Sequence, residues 1–238
     1  MKLQGQVAVV TGAGRGIGRA VALALAREGA AVVLAARSAR DLAAAAHEVG
    51  SAGGRALAVP TDVRQEPAVA ALVRRALSTF ERIDLLVTAA GVAAFGPVAE
   101  ARNEEWDQVL AVNLRGALLC CRAVLPTMIA QRRGTIINIG SVAISRPLVG
   151  SAVYTASKYG LLGFSRVLAE EMRGYGVRVG VLSPGAVDTP LWNGVPSPPD
   201  RALMLRPDQV AEALVFMAAQ PPEAALEEMT LLPAGGIL

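Results

Sequence analysis

The chain has 238 residues, is 53% hydrophobic but only 4% aromatic, and carries a net charge of +3. That length suits one α/β domain with a large core, filled here by Ala, Val and Leu, and the small, scattered basic excess argues against nucleic acid as a partner. One histidine in the whole chain, His47, argues against histidine metal sites and Ser-His-Asp chemistry, and no uninterrupted apolar run reaches the ~18 residues of a membrane span.

Strand and helix patterns alternate from end to end. Gln6–Thr11 is a short apolar run that stops at a glycine cluster, and Arg15–Glu28 is a helix stopped by Gly29. Ala31–Ala36 has strand length, and Ala39–Ser51 is a helix carrying His47 on its solvent side. Arg55–Val59 is a strand, Gln65–Phe80 a helix, Ile83–Val87 a strand, and Asn103–Ala130 a long helix with Pro126 near its end. Thr135–Ile139, Ala152–Gly174 and Val177–Leu182 read as strand, helix and strand. A proline-rich break at Pro196-Ser197-Pro198-Pro199 precedes a helix at Asp208–Ala219 and a last strand near Met229–Leu232. Apolar strands that alternate with amphipathic helices predict a doubly wound parallel sheet of about seven strands, of Rossmann type, with helices on both faces. The expected organisation is one domain over residues 1–238, with a short substrate loop near 187–206.

The first strand-to-helix turn reads Thr11-Gly12-Ala13-Gly14-Arg15-Gly16-Ile17-Gly18. Glycines there let the backbone turn tightly and approach a pyrophosphate, while the helix start offers free N–H groups and the positive end of its dipole. The second strand ends Ala35-Ala36-Arg37-Ser38, without the carboxylate that would bind an adenosine ribose and repel a 2′-phosphate. Arg37, with Arg15 from the other side, suits that phosphate instead, which predicts NADP(H) over NAD(H). Asp62 stands after the third strand, placed either to accept a bond from the adenine amino group or to cap the following helix.

The chain has 21 Arg but only two Lys, Lys2 and Lys158. A Lys kept against that bias suggests work for a compact, rotatable ammonium rather than a rigid guanidinium. Lys158 lies four residues after Tyr154, so on a helix the two share a face. A nearby cation favours phenolate, which predicts a lowered Tyr154 pKa and an acid–base role. The adjacent Cys120 and Cys121 have neither metal nor disulfide-framework spacing; with a first strand starting at Gln6, they suggest a reducing cytoplasm and no signal peptide.

Taken together, these motifs resemble the short-chain dehydrogenase/reductase family, in its single-domain branch, from about residue 5 onward. Thr11-Gly12-x-x-x-Gly16-Ile17-Gly18, Asp62-Val63, Asn113, Ser141, Tyr154-x-x-x-Lys158 and Pro184-Gly185-x-Val187-x-Thr189 stand in the family's order and spacing. The resemblance implies direct hydride transfer with Tyr154 as proton donor or acceptor, Ser141 bonded to the substrate oxygen, and Lys158 lowering the Tyr154 pKa and holding the nicotinamide ribose. It implies that Asn113 kinks its helix and binds a water leading to Lys158, and that Val187 and Thr189 fix the carboxamide. The family's Asn-Asn-Ala-Gly is Thr88-Ala89-Ala90-Gly91 here, which keeps the small Ala90-Gly91 beside the cofactor but predicts weaker sheet bracing.

The loop after Thr189, with Leu191, Trp192 and Met204, has no charged cluster and predicts an apolar lid over a ketone, diketone or acyl chain. The resemblance extends to 3-oxoacyl-carrier-protein reductases and ketoreductases. Arg132, Arg133 and Arg173 are either a docking patch for an acidic carrier protein or plain surface charge. A homotetramer is expected through Leu118, Leu119 and Cys120 on one helix and Leu161, Leu162, Phe164 and Leu168 on another. Rival readings are a non-catalytic NADP(H)-binding regulator and an NAD-dependent alcohol dehydrogenase of the same family.

Overall fold

The computed structural model describes residues 1–236 apart from Gly194, Pro196 and Ser197; two residues of the proline-rich break and the terminal Ile237 and Leu238 therefore lie outside it. Seven strands form one parallel sheet: β1 (Val7–Thr11), β2 (Ala31–Ala36), β3 (Ala56–Pro60), β4 (Leu85–Thr88), β5 (Gly134–Ile139), β6 (Val177–Pro184) and β7 (Glu228–Leu231). Their order is β3-β2-β1-β4-β5-β6-β7, as a doubly wound Rossmann-type fold requires.

Strand residues alternate between two cores. Ala8, Val10, Val32 and Leu34 pack under α1 (Gly16–Arg27), α2 (Ala39–Ser51) and α7 (Pro207–Ala218). Val7, Val9, Val33 and Ala35 pack under α3 (Glu66–Phe80), α5 (Ala117–Gln131) and α6 (Ala152–Arg173). Side chains successive along a strand face opposite ways, so one apolar run feeds both cores. The chain leaves β1 toward β2 and β3, then returns to place β4 on the other side of β1. That reversal opens a crevice at the carboxyl ends of β1 and β4, where ligands bind in such sheets.

The expected helix 103–130 is interrupted. An α-helix, α4 (Asn103–Leu110), passes into a π-helical segment at Ala111–Gly116 before α5 resumes. Wider π turns cluster at functional sites, and this one is centred near the buried Asn113. Residues 103–131 are also, among the described residues, the one helix long and apolar enough to cross a membrane by length and composition. Here Leu119, Cys120, Cys121, Val124 and Met128 from it line the second core.

Two expectations need correction. The absent family asparagines do not leave the sheet unbraced: Thr88 Oγ1 donates to Asn138 Oδ1 at 2.6 Å, and Asn138 Nδ2 donates to Ser165 Oγ at 2.8 Å, tying β4, β5 and α6 together. Most of the apolar surface assigned to assembly is spent inside the chain: Leu119, Cys120, Leu161, Leu162 and Leu168 are buried. The large apolar side chains exposed on α4 and α6 are Leu110, Tyr159 and Val167.

Candidate active site

A cleft of about 390 Å³ runs along the carboxyl ends of the strands. At its β1 end the glycine loop turns into α1. Gly12 has φ +69°, and a Cβ there would stand 2.7 Å from Ala89 O, so only glycine lets the loops after β1 and β4 meet. Thr11 Oγ1 holds that meeting by accepting from Ala89 N at 3.1 Å and Ala90 N at 3.2 Å. No side chain caps α1 and no acidic residue occupies its first turn. The exposed donors and dipole at this end suit a pyrophosphate, and Gly91 opens on the cleft with only Asn113 Oδ1 near the position of a Cβ. The cradle therefore fits a dinucleotide.

Arg15, Arg37 and Ser38 line the far end of the cleft. Among the described residues neither arginine is in an ion pair. Asp62 lines the same end beside Val63, but its carboxylate is held by Arg64, whose Nε reaches both oxygens at 3.0 and 3.1 Å and whose Nη2 reaches Oδ2 at 2.6 Å. That guanidinium keeps the Asp62 carboxyl below its ordinary range. The capping alternative fails, because Gln65 occupies the N-cap of α3 and makes no side-chain cap bond.

At the other end the cleft meets β5, α6 and the loop after β6. Ser141 follows β5, buried, and accepts from Ala143 N at 3.2 Å to start a short 3₁₀ turn. Tyr154 and Lys158 project from the first turns of α6 on one face, as the spacing predicts, with Lys158 Nζ 5.7 Å from the Tyr154 ring centre. Lys158 is buried and donates to Ile139 O at 2.7 Å. Burial brings its pKa down to about 8. The expected lowering of Tyr154 is reversed in this structure: burial of the phenol raises its pKa, and the Ser141 hydroxyl opposes this. One of the three Lys158 donors goes to the Ile139 carbonyl, and the ammonium lies beside the ring rather than bonded to the phenol oxygen.

Asn113 sits in the π-helical break of its helix, where a kink was expected, and its side chain makes a clamp that the spacing did not suggest. Its Nδ2 donates to Val92 O at 2.9 Å and to Ser157 Oγ at 3.2 Å, while Oδ1 accepts from Val92 N at 2.9 Å. Both amide hydrogens thus pin the loop after β4 to α6. Ser157 extends the link by donating to Tyr154 O at 2.6 Å.

Pro184 closes β6, and Gly185, Val187 and Thr189 follow along the cleft wall. Val187 bridges Leu205 through its neighbours: Asp188 N donates to Leu205 O and Leu205 N to Ala186 O. Its own peptide groups thus face away from Leu205; the carbonyl accepts from Trp192 Nε1 at 2.9 Å, and among the described residues the N–H has no acceptor. Leu191 and Trp192 line the cleft as expected, but Met204 does not, being buried beneath the loop beside Leu205.

The sequence reading missed Val92, Phe95, Val142 and Leu148, which complete the apolar wall. Phe95 stacks on Trp192 with ring centres 5.7 Å apart and planes 10° from parallel, and stands 6.3 Å from the Tyr154 ring. No helical or strand period marks these loop residues; an aromatic shortly after Gly91 was the one available signal. Arg132, Arg133 and Arg173 lie where α5 and α6 lead into the amino ends of β5 and β6, the opposite edge of the sheet from the cleft. There Arg173 pairs with Glu170 and Glu227, Arg133 approaches Asp84, and Arg132 donates to Gly174 O.

Known proteins match this geometry and sequence. The family model described as short chain dehydrogenase covers residues 6–199. A 3-oxoacyl-[acyl-carrier-protein] reductase of Synechocystis sp. is 37% identical over 99% of this chain and 98% of that protein. An uncharacterised oxidoreductase of Staphylococcus aureus strain MRSA252 is 36% identical over 97% of this chain and 98% of that protein. Among solved structures, a metagenomic short-chain oxidoreductase in complex with NADP is 40% identical with a TM-score of 0.87, covering 98% of this chain and 99% of that one. The alcohol dehydrogenase of the archaeon Thermococcus sibiricus, complexed with 5-hydroxy-NADP, is 32% identical with a TM-score of 0.89, covering 96% and 97%. The chain belongs to the short-chain dehydrogenase/reductase family, as an NAD(P)-dependent oxidoreductase of CH–OH groups.

Proposed function

We propose that the protein is an NADP(H)-dependent reductase of ketones, 3-oxoacyl or similar apolar carbonyl compounds, that also oxidises the matching secondary alcohols. The observation that carries this reading is the convergence of Ser141, Tyr154 and Lys158 on the apolar end of a cleft whose other end is a glycine cradle. When bound, the nicotinamide supplies hydride to the substrate carbon or accepts it. Tyr154 donates its phenolic proton to the carbonyl oxygen, and Ser141 donates a hydrogen bond that holds the oxygen in place. The raised Tyr154 pKa keeps that proton on the phenol at neutral pH, ready for donation to a carbonyl oxygen. Lys158, charged below about pH 8, stabilises the phenolate formed on proton transfer and binds the nicotinamide ribose. The Val187 N–H and the Thr189 hydroxyl orient the carboxamide.

Arg15 and Arg37, unpaired at the adenosine end, support NADP(H) over NAD(H) by offering two cations to a 2′-phosphate. Asp62 and Val63 frame the adenine, with Arg64 competing for the carboxylate. The free, buried cysteines fit a cytoplasmic protein. Leu110, Tyr159 and Val167 offer the remaining apolar surface for a homotetramer. The local ion pairs of Arg173 and the distance of that patch from the cleft speak against it as a carrier-protein dock.

The test follows the absorbance of NADPH with a panel of ketones, diketones and 3-oxoacyl thioesters. Turnover of several apolar carbonyls is expected. NADPH binding without turnover across the panel would refute the reading in favour of a non-catalytic regulator.

A further inference from the structure

We infer that Phe95 is a specificity-determining residue, and that the site around it takes compact ketones bearing a flat aromatic group in preference to aliphatic chains and long acyl thioesters. The inference rests on the ketone-reductase reading above and narrows its substrate class. The chain is poor in aromatics, yet Phe95, Tyr154 and Trp192 gather at one end of the cleft. Phe95 lies face to face with Trp192 and tilted by 37° against Tyr154, so the outer faces and edges of an aromatic pair border the acid–base tyrosine.

That surface is fixed on three sides. The Trp192 indole N–H donates to Val187 O at 2.9 Å, so the ring leaves the stack only by giving up a part-buried hydrogen bond. Gly96 N donates to Gly150 O at 2.8 Å, which ties the loop carrying Phe95 to the loop before α6. Asn113 clamps Val92, three residues before Phe95, through both its amide atoms. The stack is thus a built wall. Val142 and Leu148 complete this end, where Lys158 is the one charged side chain among the described lining residues, while the unpaired cations Arg15 and Arg37 stand at the other end. Among the described residues that line this end of the cleft there is no arginine to meet a phosphorylated carrier arm leaving past Phe95.

An aromatic substituent gains stacking on Phe95 and Trp192 beyond what its area alone supplies, on the order of 3–10-fold in affinity over an aliphatic group of similar size. The experiment measures kcat/KM at saturating NADPH with acetophenone, 2-octanone (the same number of carbons) and acetoacetyl-coenzyme A. The wild type should favour acetophenone over 2-octanone by about 3–10-fold, and the thioester should be poorest. Phe95→Leu keeps an apolar wall but removes the flat face, so the preference between the two ketones should vanish with 2-octanone still turned over. Phe95→Ala opens the wall and should raise the thioester several-fold relative to acetophenone. Neither variant should alter the Kd for NADPH. Equal or reversed ketone preference in the wild type, or an unchanged ratio in Phe95→Leu, overturns the inference and leaves the ketone-reductase reading standing. No turnover of any of the three with NADPH bound overturns both.

Discussion

Replacing Lys158 with Met separates what the buried ammonium costs the fold from what it does for the reaction. Burial lowers the Lys158 pKa from 10.5 to about 8, which corresponds to about 3 kcal/mol of stability forgone while the group stays charged. Between those two values the unfolded chain holds more protons than the folded one, so this contribution makes stability rise with pH. The full cost stands below about pH 8 and is relieved as pH climbs toward the unfolded value. From about pH 7 to about pH 9.5 the wild type should regain about 2 kcal/mol relative to Lys158→Met, which has no such proton to lose. Urea unfolding of both proteins, followed by tryptophan fluorescence at matched protein concentration, reads this as a stability gap that changes with pH. All other titrating groups are shared and cancel. A gap that stays constant across the range would refute the buried, poorly solvated ammonium on which the reasoning depends.

Arg37→Asp should shift the ratio of kcat/KM from NADPH toward NADH by at least tenfold, because a carboxylate repels the 2′-phosphate and bonds the free ribose; an unchanged ratio would remove Arg37 from that phosphate. Gly12→Ala places a Cβ against Ala89 O at a positive φ, which should cost about 2–4 kcal/mol and weaken NADPH binding, as thermal melts with and without cofactor will read. Asn113→Ala frees Val92 and leaves its part-buried peptide groups without their partner, so turnover should fall at least tenfold with a loss of about 1 kcal/mol; a variant as stable and active as the wild type would remove the clamp from the account.

Much of this was legible in the sequence because the informative residues sit in periodic or tightly spaced segments. The helices read at 39–51 and 65–80 and the strand at 31–36 match the observed elements to within one residue, and Gly12 and Gly16 announce their turn because the loop needs positive φ there. The break at Ala111–Gly116 was expected only from the resemblance at Asn113, since one added residue per turn barely disturbs an apolar helical pattern. The direction of the Tyr154 shift escaped for another reason: spacing places Lys158 beside Tyr154, but burial and the Ile139 carbonyl are properties of the packed fold. Bracing by Thr11, Thr88 and Asn138 likewise joins residues some 50 to 80 positions apart, which no local pattern reports. Phe95 acquires meaning only once the loop after β4 lies against Trp192.

The central claim is that Tyr154 passes a proton to a carbonyl oxygen while the rest of the cleft holds NADP(H). Tyr154→Phe tests it most directly, since the substitution removes one hydroxyl and keeps the ring against Phe95. NADPH binding, read by fluorescence titration, should stay within about twofold of the wild type, while the rate of ketone reduction falls by about 10²–10⁴-fold. A variant that binds NADPH and reduces the ketone at the wild-type rate would contradict the account.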